Sequence, residues 1–175
     1  MQASRRAFFG IRRNGRDDPI RPPWALAEAD FLERCTRCAA CINVCPTHLL
    51  IKGSGGFPEA DFTPGHAPDG CTFCGKCLSA CQDGALRAVD GQAVWTLQAA
   101  FGDACLATNN VVCRTCGEAC DARAISFPPR LGAVARPQLT AAACTGCGAC
   151  LADCPTQAIQ MLPDSSRSIA TQGAV

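Results

Sequence analysis

The sequence predicts an α+β fold in which two similar modules follow one another along the chain. Sixteen of the 175 residues are Cys, these cysteines fall into four similar groups, and a short apolar, strand-like run follows each group. The pattern predicts a basic, largely irregular N-terminal tail over residues 1–30, a first module over 31–92, a second module over 93–163 and a C-terminal tail over 164–175. Each module then contains two of the Cys groups.

The composition argues against a core made by ordinary packing. Hydrophobic residues make up 48 % of the chain, but cysteines supply part of that share and aromatic residues only 6 %. High Cys content indicates disulfides in small secreted domains and bound metal in intracellular proteins. The compartment therefore decides what the cysteines do.

The N-terminus contains Ser4-Arg5-Arg6-Ala7-Phe8-Phe9-Gly10, which looks like the centre of a twin-arginine export signal. An export signal continues into an apolar stretch of roughly 7–15 residues. Residues 11–19 are instead rich in charge, and no Ala-x-Ala-like site follows. We interpret the segment as a mimic of an export signal or as a tail that docks to a partner. A functional export signal is the alternative. No apolar run is long enough to cross a membrane, so the sequence predicts a cytoplasmic protein without disulfides.

The spacing of the cysteines indicates iron–sulfur clusters. Groups one, two and four follow Cys-x2-Cys-x2-Cys-x3-Cys, and the groups are Cys35, Cys38, Cys41, Cys45; Cys71, Cys74, Cys77, Cys81; Cys105, Cys113, Cys116, Cys120; and Cys144, Cys147, Cys150, Cys154. Three cysteines at i, i+3 and i+6 on a curled loop can each reach a different iron of one 4Fe–4S cube. The fourth is expected to start a short helix, point the other way and ligate the other cluster of a two-cluster module.

The strand-like runs complete the module. They are Leu49–Ile51, Ala85–Val89, Ala124–Phe127 and Ala158–Leu162, and a further strand candidate, Ala93–Leu97, leads to the third group. Over residues 31–163 the chain resembles bacterial-type 2×(4Fe–4S) ferredoxins. This resemblance implies two tandem ferredoxin-like modules with four 4Fe–4S clusters.

Crossed ligation follows if neighbouring groups share a module. The expected ligand sets are Cys35, Cys38, Cys41 and Cys81 for cluster one; Cys71, Cys74, Cys77 and Cys45 for cluster two; Cys105, Cys113, Cys116 and Cys154 for cluster three; and Cys144, Cys147, Cys150 and Cys120 for cluster four. A nested pairing, one with four and two with three, stays open as the alternative. The even spacing favours the sequential pairing.

The third group departs from the pattern. Seven residues separate Cys105 from Cys113, where the other groups have two. Cys105 is still expected to supply the first ligand, from a longer loop. A three-iron or labile cluster at this site is the alternative.

Other chemistries fit less well. Zinc prefers four ligands in paired Cys-x2-Cys sets, which this spacing does not reproduce, whereas all-thiolate ligation suits Fe–S clusters. No Ser/His/Asp arrangement, dinucleotide fingerprint or phosphate loop is recognisable. The sequence therefore predicts an electron carrier or accessory protein without its own catalytic site.

A closer resemblance involves several separate motifs. Ser4-Arg5-Arg6, Ile20–Trp24, Cys35-Thr36-Arg37-Cys38, Gly102–Ala107 and the long third-group spacing are similar to the NapF-type ferredoxins of periplasmic nitrate reductase operons. The resemblance implies a cytoplasmic accessory protein that interacts with the molybdenum-containing catalytic subunit of the nitrate reductase before its export, to load or reduce that subunit's 4Fe–4S cluster. A general polyferredoxin electron carrier is the alternative. Five arginines in the tail favour a role in docking to a partner, and a tail that is only solvated is the alternative. They are Arg5, Arg6, Arg12, Arg13 and Arg16.

Overall fold

The computed structural model describes residues 19–90 and 93–163. Its helices are short: α1 Glu28–Arg34, α2 Ala40–Asn43, α3 Lys76–Ala80, α4 Thr115–Glu118 and α5 Ala149–Ala152. Its strands are β1 Leu50–Lys52, β2 Pro58–Ala60, β3 Leu97–Phe101, β4 Ile125–Ser126, β5 Gln138–Leu139 and β6 Ile159–Pro163. Single 3₁₀ turns lie at Ser54–Gly56 and Ala141–Ala143. None of the described helices is long and apolar enough to span a membrane.

The described strands pair into three antiparallel two-stranded sheets: β1 with β2, β3 with β6, and β4 with β5. In the second module, β3 precedes the third Cys group and β6 follows the fourth, so their pairing closes the module around both groups. The first module closes in the same way through fewer bonds. The Leu26 N–H donates to the Ala85 carbonyl at 3.1 Å and the Arg87 N–H to the Trp24 carbonyl at 2.8 Å.

Three local expectations require correction. The run Ala85–Val89 forms no strand, because only Leu86 pairs, in an isolated bridge with Ala25. The short helices contain the third cysteine of each group, and the fourth cysteine follows the helix rather than starting it. The helical turn between the third and the fourth cysteine lets their two thiols point in different directions. The strand expected over Ala93–Leu97 is formed four residues later, because β3 begins only at Leu97.

The segment before α1 packs on the first module, although it falls within the predicted tail. The Arg21 guanidinium contacts both Glu28 carboxylate oxygens, at 2.7 and 3.0 Å, and lies 5.0 Å from the centre of the Phe31 ring. Phe31 is fully buried. The Trp95 indole N–H donates to the Arg21 carbonyl at 3.0 Å. The segment between the two modules therefore also holds Arg21 in place.

Two predicted segments lie outside the described residues. They are residues 1–18, which include the Ser-Arg-Arg motif and Arg5, Arg6, Arg12, Arg13 and Arg16, and the predicted C-terminal tail.

The thiols take part in the core. The buried residues include five cysteines, Cys41, Cys77, Cys116, Cys144 and Cys150, among small side chains and a few large ones such as Leu49 and Trp95. Burying a polar or ionisable group without a partner is unfavourable. A core arranged around thiols therefore calls for something that the thiols bind.

Candidate iron–sulfur sites

Three cavities in the described chain are each lined by four thiols. The first is lined by Cys35, Cys38, Cys41 and Cys81. The second is lined by Cys45, Cys71, Cys74 and Cys77. The third is lined by Cys105, Cys113, Cys116 and Cys154. Each cavity thus combines three thiols of one group with the fourth thiol of its neighbour.

The remaining four thiols share no such cavity among those described. Burial, followed by electrostatic interaction with Cys147, Cys144, Cys116 and Cys120, raises the pKa of Cys150 to about 12. Twelve cysteines thus share cavities in three of the sets that sequential pairing expects, and Cys120, Cys144, Cys147 and Cys150 are the fourth candidate set. We refer to these sets as sites 1 to 4, in the order of the Cys groups that supply three of the four thiols.

The spacing of the thiols within a site suits a cluster better than a single ion. In residues 19–90 and 93–163, no three His, Cys, Asp or Glu side chains converge closely enough to hold one metal ion. A zinc ion needs all four sulfurs within about 2.3 Å of one point. A cube of four irons offers each thiolate a separate corner, so its thiolates stand further apart. No disulfide joins any of the sixteen cysteines, all of which lie within the described residues.

The ligand loops curl through left-handed backbone. In group one, left-handed backbone occurs at Arg37, immediately before the second cysteine, and at Ala39, two residues before the third. Their φ angles are 61° and 60°. The matching residues are Phe73 and Gly75 in group two and Gly146 and Gly148 in group four. Two left-handed residues within seven curl the loop so that successive thiols turn inward. In the third group, by contrast, the residue before α4 is Arg114, at φ −134°.

The inserted loop of the third group is held by its own hydrogen bonds. The Asn109 side-chain N–H donates to the Asp103 and Cys105 carbonyls at 2.7 and 2.9 Å. The Thr108 hydroxyl donates to the Cys105 carbonyl at 2.7 Å. These bonds hold the start of the loop, and Cys105 lines the same cavity as Cys113 and Cys116, so the longer loop does not remove its thiol from the site.

Burial makes an unliganded thiolate unfavourable in these sites. It raises the pKa of Cys77 to about 12, and that of Cys41, Cys71 and Cys116 to about 11, with neighbouring thiols adding to the effect. Hydrogen bonding to some of these thiols lowers the pKa in part. Because a thiolate rather than a thiol ligates metal, iron must replace these protons when a cluster enters.

The fourth cysteines meet hydrogen-bond donors. Backbone N–H groups of Leu86, Ala124 and Ala158 lie 3.4, 3.3 and 3.3 Å from the sulfurs of Cys81, Cys120 and Cys154. At Cys45, burial is the largest single influence on the pKa and raises it. The Thr47 hydroxyl and three backbone N–H groups together outweigh burial, so the net pKa is lowered. Donors of this kind stabilise a sulfur that carries negative charge.

Threonine near the thiols is a feature that the sequence interpretation missed. The Thr47, Thr115 and Thr156 hydroxyls lie 3.6, 3.6 and 3.8 Å from the sulfurs of Cys45, Cys113 and Cys154. Each threonine is two residues after its cysteine. A recurring Cys-x-Thr motif was therefore the available signal. Trp24 also lines the cavity of site 2.

These sites and the paired modules define the class of protein, and comparison with known proteins agrees. Residues 33–85 and 111–158 match the 4Fe-4S dicluster domain. The chain is thus a ferredoxin-type iron–sulfur protein with two dicluster domains, suited to four 4Fe–4S clusters. Fifteen of the sixteen cysteines lie inside the matched regions, and Cys105 lies outside because of its longer loop.

The chain belongs to the NapF family of ferredoxin-type proteins. It is 43 % identical over 159 residues to the ferredoxin-type protein NapF of Escherichia coli strain K12, which covers 91 % of this chain and 94 % of that relative. NapF of Haemophilus influenzae is 44 % identical over 142 residues, or 81 % of this chain and 78 % of that relative. A methylamine utilization ferredoxin-type protein, MauM of Methylobacillus flagellatus, is 34 % identical over 163 residues, or 82 % and 68 % of the two chains.

Proposed function

We propose that this protein is a cytoplasmic accessory factor that acts on the catalytic subunit of periplasmic nitrate reductase before export, by loading or reducing that subunit's own 4Fe–4S cluster. The observation that carries this proposal is its identity of 43 % to NapF over 91 % of the chain. The clusters supply one-electron chemistry when bound. The chain itself supplies thiolates, hydrogen-bond donors and a docking surface, and we assign it no catalytic site of its own.

We further propose that the four thiol sets are the ligand sets, with sequential pairing of the Cys groups. Cys35, Cys38, Cys41 and Cys81 would hold cluster one; Cys71, Cys74, Cys77 and Cys45 cluster two; Cys105, Cys113, Cys116 and Cys154 cluster three; and Cys144, Cys147, Cys150 and Cys120 cluster four. The shared cavities support this assignment. The short helices and small antiparallel sheets support the α+β class of the two modules, 31–92 and 93–163.

Beside site 3, the described chain offers a surface for docking the catalytic subunit. Val111, Val112 and Leu131 are 50 %, 79 % and 106 % exposed. Val112 shares a surface hollow with Arg114 and Arg130, and none of the residues lining that hollow is acidic. We call Val111, Val112, Leu131, Arg114 and Arg130 the site 3 patch. Exposed apolar groups rimmed by charge are typical of protein–protein contacts, and this charge fits an acidic partner surface.

A binding experiment tests the proposed function. The holoprotein is immobilised anaerobically and presented with the catalytic subunit in two forms, one with and one without its 4Fe–4S cluster. We expect stronger retention of the cluster-free form. Equal, weak retention of both forms, together with electron flow during turnover, would contradict a maturation role.

A general electron carrier is the second candidate. The specific observation in its favour is the 34 % identity to MauM, a relative named for methylamine utilization. A carrier would reduce its partner through a short-lived encounter and would not distinguish the two forms of the subunit. The same binding experiment therefore separates the two candidates.

A further inference from the structure

Sites 2 and 4 meet at the contact between the two modules. The Cys71 N–H donates to the Cys147 carbonyl at 2.8 Å. Cys71 belongs to site 2 of the first module, and Cys147 belongs to site 4 of the second.

Two glycines allow this approach. A Cβ on Gly70 would lie 2.3 Å from the Cys147 carbonyl oxygen and 2.8 Å from the Ala149 nitrogen, both in the second module. A Cβ on Gly148 would lie 2.2 Å from Cε1 of Phe62, in the first module. Phe62 is buried and its ring centre is 5.6 Å from that of Trp95. The two backbones are therefore as close as glycine permits.

Helix packing joins the other sites within each module. The helix α2, which contains Cys41 of site 1, packs on α3, which contains Cys77 of site 2. The helix α4, which contains Cys116 of site 3, packs on α5, which contains Cys150 of site 4. Together with the inter-module hydrogen bond, these proximities arrange the sites in the order 1, 2, 4, 3.

We propose that electrons pass between the modules from site 2 to site 4, or the reverse, across the contact of the Cys71 N–H with the Cys147 carbonyl, and that Gly70 positions the modules for this transfer. One electron leaves one cluster and one enters the other, so one is oxidised as the other is reduced, and no proton or further reactant is needed. The inference rests on the proposed ligand sets and redox role. It adds the route, which the order of the Cys groups along the chain does not give.

The decisive variant is Gly70→Ala in the full holoprotein, with Gly65→Ala as the matched control. Both glycines have positive φ, of 60° and 83°, but a Cβ on Gly65 meets nothing within 4 Å. The variants therefore share the backbone penalty and differ in the clash with the second module. Iron content and the EPR spectrum of the fully reduced protein are measured for each.

We expect Gly70→Ala to keep its iron but to lose the magnetic interaction between the clusters of sites 2 and 4. The interactions within each module should persist, and Gly65→Ala should match the unaltered protein. Full iron with an unchanged spectrum in Gly70→Ala overturns the proposal.

A second variant covers the case in which Gly70→Ala does not retain iron. Phe62→Leu removes the ring that packs on Gly148 while leaving every residue next to a thiol in place. We expect a weakened inter-module interaction with iron unchanged, and an unchanged spectrum again overturns the proposal. Because these measurements use the isolated protein, a failure here is distinct from a failure to bind the nitrate reductase subunit.

Discussion

Cys105 reaches site 3 from a loop that the other groups lack, and its thiol lines the same cavity as that of Cys154. Replacing either cysteine by Ser should therefore damage the same cluster. We expect Cys105→Ser and Cys154→Ser to alter the same EPR signal and each to lower iron from about 16 towards about 12 per chain, since one of four clusters is affected.

Nested pairing makes a different prediction for the same two variants. There Cys154 would serve the cluster of the first group, so Cys154→Ser would resemble Cys35→Ser rather than Cys105→Ser. Including Cys35→Ser as the comparison makes the result decisive. Spectra of Cys154→Ser that match Cys35→Ser would refute sequential pairing.

The Thr47 hydroxyl, 3.6 Å from the Cys45 sulfur, should raise the reduction potential of the cluster at site 2. A donor to sulfur favours the more negative, reduced cluster, and reduction potentials follow such hydrogen bonds. Thr47→Val keeps the shape of the side chain and removes the donor. Taking about 1 kcal/mol for one hydrogen bond, we expect that potential to fall by at most about 40 mV.

An anaerobic redox titration measures this shift. Thr63→Val is the control, because the Thr63 hydroxyl donates to the Asp61 carboxylate rather than to a thiol. An unchanged or higher potential in Thr47→Val would show that the hydroxyl does not act on the cluster.

Among the structural elements, the segment between Cys105 and Cys113 and the turn near Leu131 bear the site 3 patch. The double variant Val112→Ser with Leu131→Ser should weaken binding of the nitrate reductase catalytic subunit by about tenfold or more. Truncating an energetically important interface residue costs more than about 1 kcal/mol of binding free energy. Iron content should not change, because both side chains point to solvent. Titration calorimetry against the cluster-free subunit gives the affinity.

Leu32→Ser is the matched control for this pair. Leu32 is 40 % exposed but lies on α1 in the first module. If Leu32→Ser weakens binding as much as the paired substitutions do, the site 3 patch is not the docking surface.

The ligand loops show how far sequence alone could go. The spacing of cysteines indicated clusters because few other centres need three thiols three residues apart. The left-handed turns were predictable at Gly75, Gly146 and Gly148, since glycine adopts positive φ readily. They were not predictable at Ala39 or Phe73, whose side chains disfavour that conformation and which are held there by the surrounding loop.

At the scale of the whole molecule, the clusters should be necessary for folding. The buried residues combine thiols with many alanines, and the sheets have only two strands each in the described chain. Two-stranded sheets are marginal without further packing, and metal-binding energy is folding energy in small metalloproteins. Chelation under anaerobic conditions should therefore expand the chain.

Small-angle scattering measures that expansion. For a chain of this length, the radius of gyration should rise from about 16 Å towards about 44 Å. Rebuilding the clusters with iron and sulfide should reverse the change, which serves as the control. A cluster-free chain that stays near about 16 Å would mean that side-chain packing is sufficient.

The arrangement of whole modules was the part least accessible to sequence. Repetition predicted the domain boundaries, and even spacing favoured the sequential ligand sets; both stay predictions. The contact between Cys71 and Cys147 depends on a close fit between surfaces that are 76 positions apart in the chain. Only the three-dimensional structure relates the glycine at position 70 to a carbonyl in the other module.

One turn recurs at the same place in all four groups, and it limits which mutations the surface tolerates. The residue three positions after each last cysteine is left-handed: His48, Gly84, Arg123 and Gln157. Three of these are exposed side chains, where substitution is ordinarily harmless. A β-branched residue there is a backbone outlier, so a saturation-mutagenesis library should accept Gly or Asn at positions 48, 123 and 157 and reject Val and Ile.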